Sequence, residues 1–207
     1  MEDNYLKQAA QAKAFFLTFD QEVLIRRHRL RADENFLYPV FFGDTYRIHR
    51  KTGDFSRLEE GIWQDANSHG EVMTLLDLLC DSREDRRPAG TYRTMQDFGH
   101  QFHQDLGEKD PRALLFQSCP EKLRSACEAL GGIPFANGDV AFILPVFEDL
   151  RMILQFWLGD EEFAPRLRFL WDSNADRYLK YETMYYAVDV LMKRLQALMD
   201  ISGLSRR

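Results

Sequence analysis

"DVAFILPVFEDLRMILQFWLGDEEFAPRLRFLWD", residues 139–172, decides the fold. It holds three β-rich runs, "DVAFILPVF", "LRMILQFWL" and "PRLRFLWD", with no room between them for a helix. Parallel neighbours need a crossover of a dozen or more residues, so runs this close predict antiparallel hairpins. In the second run Met152, Leu154, Phe156 and Leu158 alternate with Arg151, Ile153, Gln155 and Trp157, giving one apolar and one mixed face. The third sends Leu167, Phe169 and Trp171 one way and Arg166 and Arg168 the other. "GDEEF", residues 159–163, is then a hairpin connection carrying three adjacent acids. Their mutual repulsion is expected to raise their pKa values and make them receptive to a cation or to Arg166 or Arg168 just downstream. An exposed pair of that kind would set register more than stability.

Outward from this block, Met184, Val188, Leu191, Leu195 and Leu198 form a stripe at helical spacing and predict a long helix over 182–199. Upstream, "PEKLRSACEALGG" has the proline entry and glycine exit of a helix. "TYRTMQDFGHQFHQDL" predicts another, with Met95, Phe98, Phe102 and Leu106 on one side. "DSREDRRPAG" is the best linker candidate, and Val72, Leu75, Leu76 and Leu79 predict a helix over 71–80. "FLYPVFFGDTYRIHRKTGDF" reads as a hairpin that breaks at Gly43-Asp44, with one of the two at positive φ, followed by a polar connection. At the start, Leu6, Ala9, Ala10, Ala14 and Leu17 predict a surface helix over 4–18. Asp20 caps a second helix, whose basic run "IRRHRLR" reads as a solvated face. The prediction is a single α+β domain over 1–207, with a helical segment at 1–32 and a core at 36–200. Its mainly antiparallel sheet combines an N-terminal hairpin with three C-terminal strands and packs against helices, including the long C-terminal one.

Composition narrows the function classes. A hydrophobic share of 45% and a charged share of 29% are those of a soluble globular protein. A net charge of −6 opposes non-specific nucleic-acid binding, so no nucleic-acid partner is expected. The absence of a long apolar run and of a basic leader predicts no membrane association and a cytoplasmic location. Cys80, Cys119 and Cys127 are odd in number and lack ligand spacing. Cys80, closing "MTLLDLLC", reads as a small buried hydrophobe.

The phosphate loop, dinucleotide turn, nucleophile elbow and metalloprotease helix signatures are all missing from the sequence. Asp97, His100 and His103 are spaced three apart in "DFGHQFHQD", and on a helix imidazoles at i and i+3 can share a divalent metal. The other reading is an ordinary polar face. Trp157 and the Tyr185-Tyr186 pair sit among so many C-terminal aromatics that they cannot all face inward, which predicts a groove or an interface.

These features in this order resemble an uncharacterised bacterial and archaeal family, domain of unknown function 3786. They are "VFFGDTYRIHRKTGDF", "MTLLDLLC" followed by "TYRTMQDFG", and above all residues 139–182. The resemblance runs from about Phe36 onward. It implies a signature at Gly159, Asp160, Glu162, Phe163, Pro165, Phe169 and Asp172, from which Glu161 is absent. It also implies an association, in some members, with iron-sulfur and corrinoid methyl-transfer proteins. This chain lacks a cysteine set able to hold a cluster, so no iron-sulfur centre is expected on it, while a corrinoid or a divalent metal stays open. "YLKYE" lacks the proline and hydroxyl residue that mark the start of the family's last helix, so the cap of that helix is not evident from the resemblance. The leading expectation is a non-catalytic accessory protein that binds a small ligand or protein partner through Asp160, Glu162, Phe163, Trp157, Arg166 and Tyr185. The alternatives are a metal-dependent enzyme using Asp97, His100 and His103, and a structural protein that forms a homodimer.

Overall fold

The computed structural model describes residues 2–99 and 112–199. The chain divides into two compact units, Met1–Arg87 with Asp176–Val190, and Pro88–Ala175 with Leu191–Arg207. The boundary at Arg87 and Pro88 falls inside the expected linker. Two antiparallel sheets and the helices around them make the protein α+β.

The first unit opens with α1 (Glu2–Phe16) and α2 (Gln21–His28), and the Asp20 carboxylate accepts the Glu22 N–H at 3.0 Å as the cap of α2. Six strands follow: β1 (Arg31–Ala32), β2 (Phe36–Tyr38), β3 (Val40–Phe41), β4 (Asp44–His49), β5 (Phe55–Glu59) and β6 (Ile62–Asp65). They pair in the order β1-β2-β4-β5-β6, with β3 also on β4. The β3–β4 turn places Phe42 at φ 48° and Gly43 at φ 77°. Gly43 was one of the two residues expected there, but its companion is Phe42, because Asp44 already pairs with Phe41. Two positive φ values match the twist of the flanking strands, and burial of the Phe42 ring offsets its unfavourable backbone. The segment expected as a polar connection is the β5–β6 hairpin, which turns through Glu60 and Gly61. Past Phe55 neither strand has a fully buried side chain until Ala66, and β6 is the open edge, so apolar periodicity did not mark the hairpin.

Helix α3 (His69–Cys80) supplies Val72, Leu75, Leu76 and Leu79 to a core shared with Leu37, Tyr46, Ile48 and Phe55. Its start is tied down by Glu71, which receives hydrogen bonds from Ser68 Oγ at 2.6 Å, Arg57 Nη1 at 2.7 Å and the Tyr46 hydroxyl at 3.1 Å. Helix α1 packs on α3 with a face that keeps Ala9 of the expected stripe but not Leu6 or Leu17. Ala9 and Phe16 are buried, whereas Leu6 is 67% exposed. One phenyl ring outweighs scattered alanines, and the orientation lets Lys13 Nζ donate to Asp54 at 2.8 Å and Asn67 at 2.6 Å.

The second unit contains β7 (Tyr92–Thr94), a 3-10 turn over Met95–Phe98, α4 (Ala113–Gln117), α5 (Pro120–Ala129), β8 (Ile133–Pro134), β9 (Val140–Phe147), β10 (Leu150–Trp157) and β11 (Arg166–Asp172). The antiparallel order is β7-β11-β10-β9-β8. Met152 faces Trp171, Leu154 faces Phe169 and Phe156 faces Leu167, all buried, which is the apolar face read from the alternation. Leu158 lies beyond the end of β10 and is exposed. The expected helix from Tyr92 is corrected to β7 and the 3-10 turn. Aromatic and β-branched residues at 91–94 suit the open edge of β11, where Thr94 pairs with Leu170. Phe102 and Leu106 lie outside the described residues.

The last helix, α6 (Tyr181–Leu198), starts in the first unit and ends in the second. Met184 and Val188 are buried in one, Leu191 and Leu195 in the other, and Leu198 is half-buried.

Candidate functional site

The connection after β10 is a built loop. Asp160 Oδ1 accepts the N–H groups of Glu162 at 2.9 Å and Phe163 at 2.7 Å, and the Asp160 N–H donates to the Phe163 carbonyl at 2.9 Å. Asp160 therefore closes an Asx turn. Those backbone donors, Phe163 first and Glu162 second, hold its carboxyl below the usual value. This corrects the expectation that mutual repulsion raises it: two fixed N–H dipoles at hydrogen-bond distance act more strongly than neighbouring carboxylates screened by solvent. Gly159 is pinned by the Gln117 amide, whose Oε1 accepts its N–H at 2.8 Å and whose Nε2 donates to its carbonyl at 3.1 Å. A Cβ on Gly159 would lie 2.7 Å from the Pro165 nitrogen, so no other residue fits there without a shift.

Five of the predicted site residues, Trp157, Asp160, Glu162, Phe163 and Arg166, thus share one hairpin. Arg166 and Arg168 flank the Trp157 ring, with guanidinium carbons 5.5 and 5.7 Å from its centroid. Phe163 is 69% exposed. The sixth, Tyr185, belongs to the first unit, where its hydroxyl lies 2.8 Å from that of Tyr181. Asp172, buried at the end of β11, accepts the N–H groups of Ala89, Gly90 and Asn174 at 2.8 to 2.9 Å, fastening the linker to the sheet.

Asp97, expected as a metal ligand, uses Oδ2 to accept the Thr94 N–H at 2.9 Å and hydroxyl at 2.8 Å, closing the 3-10 turn. His100 and His103 lie outside the described residues. Among the described residues no group of three or more His, Cys, Asp or Glu side chains could hold a metal ion. Burial pushes the Cys80 and Cys127 thiols up to about 12, which fits the reading of Cys80 as a small hydrophobe.

Sequence reasoning missed a cleft of about 580 Å³ in the first unit, formed by α1, α3 and the start of α6. Ala12, Met73 and Leu76 give it an apolar lining, and Phe15 and Tyr186 add aromatic rings. Its polar end is Asp77, Asp81 and Lys180. Asp77 is 5% exposed and serves α6 as a cap from another helix: its Oδ2 accepts the Lys180 N–H at 2.8 Å and the Thr183 hydroxyl. The start of α6, for which no local cap was evident, is capped this way. Lys180 Nζ lies 3.1 Å from Asp77 Oδ1 and also donates to Asp81. Burial disfavours its ammonium, but the Asp81 hydrogen bond and the Asp77 charge outweigh it and raise its pKa. Beside the cleft, His69 Nε2 lies 2.9 Å from Gln8 Oε1, and its ring stands between Tyr5 and Tyr186, at 4.7 and 4.8 Å. Burial lowers the His69 pKa. One signal for the cleft was present in the sequence: Asp77 is the single charge inside "MTLLDLLC", where a charge needs a partner.

A family model described as "Domain of unknown function (DUF3786)" matches residues 20–194. The chain belongs to this family. The DUF3786 match takes in part of both compact units, including the cleft residues of α3 and the start of α6 and the whole β10–β11 hairpin, but not α1. The chain matches no curated protein and no solved structure. No helix among the described residues is long and apolar enough to cross a membrane.

Proposed function

We propose that this DUF3786 protein is a cytoplasmic, non-catalytic accessory protein that binds a small organic ligand in the cleft of its first unit. The observation that carries the reading is the lining of that cleft, a mostly apolar surface from Ala12, Phe15, Met73, Leu76 and Tyr186 joined by a hydrogen-bonded set of polar groups, Asp77, Asp81, Lys180 and Thr183, which is the usual composition of a small-molecule site. Its volume of about 580 Å³ is that of a site for a metabolite-sized molecule. The acidic and hydroxyl groups at the polar end serve as helix caps and ion-pair partners, which suits recognition better than bond making. The experiment is native mass spectrometry of protein purified from its own cells, alongside the variant Ala12→Trp, which fills the cleft. A bound small molecule in the wild type and none in the variant is expected. Equal occupancy in the two would remove the cleft as the binding site.

A second reading, a protein-partner contact at the β10–β11 connection, is favoured by a separate observation. Of the signature implied by family resemblance, Gly159, Asp160, Pro165, Phe169 and Asp172 are engaged in the loop, the core or the linker. Glu162 and Phe163 present exposed side chains instead, as a contact surface would. The association with corrinoid or iron-sulfur systems rests on the same resemblance and names the class of partner to look for. Co-purification lost in Glu162→Ala/Phe163→Ala and kept in Glu161→Ala is the expected result for this reading.

A further inference from the structure

We infer, on the reading of the cleft as a ligand site, that it selects organic cations with an apolar body, such as an arylalkyl ammonium, over anions of the same shape. The lining carries three carboxylates, Asp77, Asp81 and Glu182, and one ammonium, Lys180, leaving it formally at −2. The whole chain, these four groups included, carries a net −6. Asp81 and Glu182 are exposed, so this field is sensitive to salt, and at low ionic strength it concentrates cations at the cleft.

The arrangement also answers the two features that would favour an anion: the Lys180 ammonium, which Asp77 and Asp81 share between them, and the helix end beside it. The N-terminus of α6 opens at the polar end, and a helix N-terminus attracts negative charge. Here that position is already filled from within the protein, because Asp77 Oδ2 accepts the Lys180 N–H and the Thr183 hydroxyl, and Glu182 sits in the first turn. A ligand carboxylate would have to displace Asp77, which is buried and held from three directions. A ligand ammonium meets instead Asp81, which shares the Lys180 ammonium with Asp77, and Glu182, whose side chain is exposed. Phe15 and Tyr186 supply rings whose π faces attract cations, and Met73 adapts to the shape of the apolar body.

The test is calorimetric titration of the full chain with three matched probes: 2-phenylethylammonium, the neutral 3-phenylpropanol and the anion 3-phenylpropionate. The ammonium is expected to bind at least about tenfold more tightly than the anion, with the alcohol between them, and the gap is expected to narrow in high salt. Glu182→Gln, a surface change, is expected to weaken the ammonium severalfold and leave the alcohol unchanged. Equal or tighter binding of the anion, or an ammonium affinity untouched by both Glu182→Gln and salt, overturns the charge selectivity while leaving the cleft as a ligand site. If binding of all three probes survives both Ala12→Trp and the exposed-site variant Gln11→Trp, or if none of the three binds, the cleft reading falls and this inference with it.

Discussion

At Asp160, one carboxylate oxygen holds two backbone N–H groups, and the loop between β10 and β11 owes its shape to that oxygen. Asp160→Ala is expected to make the amides of Glu162 and Phe163 exchange severalfold faster with solvent while β10 and β11 keep their protection. Asp160→Asn retains an acceptor at the same place and is expected to change exchange much less, as read by hydrogen–deuterium exchange. A second residue-scale prediction concerns the thiols. Cys80 and Cys127 are buried with pKa values pushed up to about 12, whereas Cys119 is half-buried. Titration of the native protein with a thiol-reactive disulfide is therefore expected to modify Cys119 quickly, the other two reacting only after unfolding. Fast reaction at Cys80 would contradict the buried-hydrophobe reading.

Among elements, the junction of α3 with α6 carries the most consequence, because one buried side chain, Asp77, caps α6 through the N–H of Lys180, 103 residues later. Asp77→Ala removes the acceptor of the Lys180 N–H and Thr183 hydroxyl and the partner of the Lys180 ammonium. It is expected to lower stability by about 1 to 2 kcal/mol, the usual cost of losing a cap. Asp77→Asn is expected to recover part of that, and Thr183→Val to cost less than Asp77→Ala. Denaturant unfolding of the three variants is the measurement. If Asp77→Ala leaves the midpoint unchanged, the cap is not a stabilising element of the first unit.

For the whole molecule, the groups shifted downward among the described residues define two pH windows below neutrality. Asp33, held low by the Tyr38 hydroxyl, Asp54, held low by Lys13, and Asp160, held low by backbone N–H groups, bind protons less readily folded than unfolded. Their stabilisation is fully present above the ordinary carboxylate pKa and is lost as pH falls through the lower folded values, below about pH 4. His69, lowered by burial, acts in the window just below about pH 6.5, where the unfolded chain takes up a proton and the folded one does not, so stability falls with pH there too. Unfolding midpoints measured from pH 7.5 to 3 are expected to show two descents. The upper one should disappear in His69→Gln and the lower one shrink in Asp33→Asn/Asp54→Asn/Asp160→Asn. An upper descent that persists in His69→Gln would assign it to another group.

The sequence by itself determined what depends on short-range alternation and local chemistry. The faces of β10 and β11, the stripe of α6, the Asp20 cap and the proline-to-glycine frame of α5 were all legible, because each is set by residues within a few positions of one another. Tertiary structure alone decided the rest. It turned α1 so that Phe16 rather than Leu6 is buried, made residues 92–94 an edge strand because β11 offered unpaired hydrogen-bonding groups, and brought Asp77, Lys180 and Thr183 together at the polar end of a cleft. These outcomes come from partners far apart in the chain. Which apolar face is buried, which edge is open and which charge finds a counterion are fixed only when distant elements pack, and no local pattern encodes that choice.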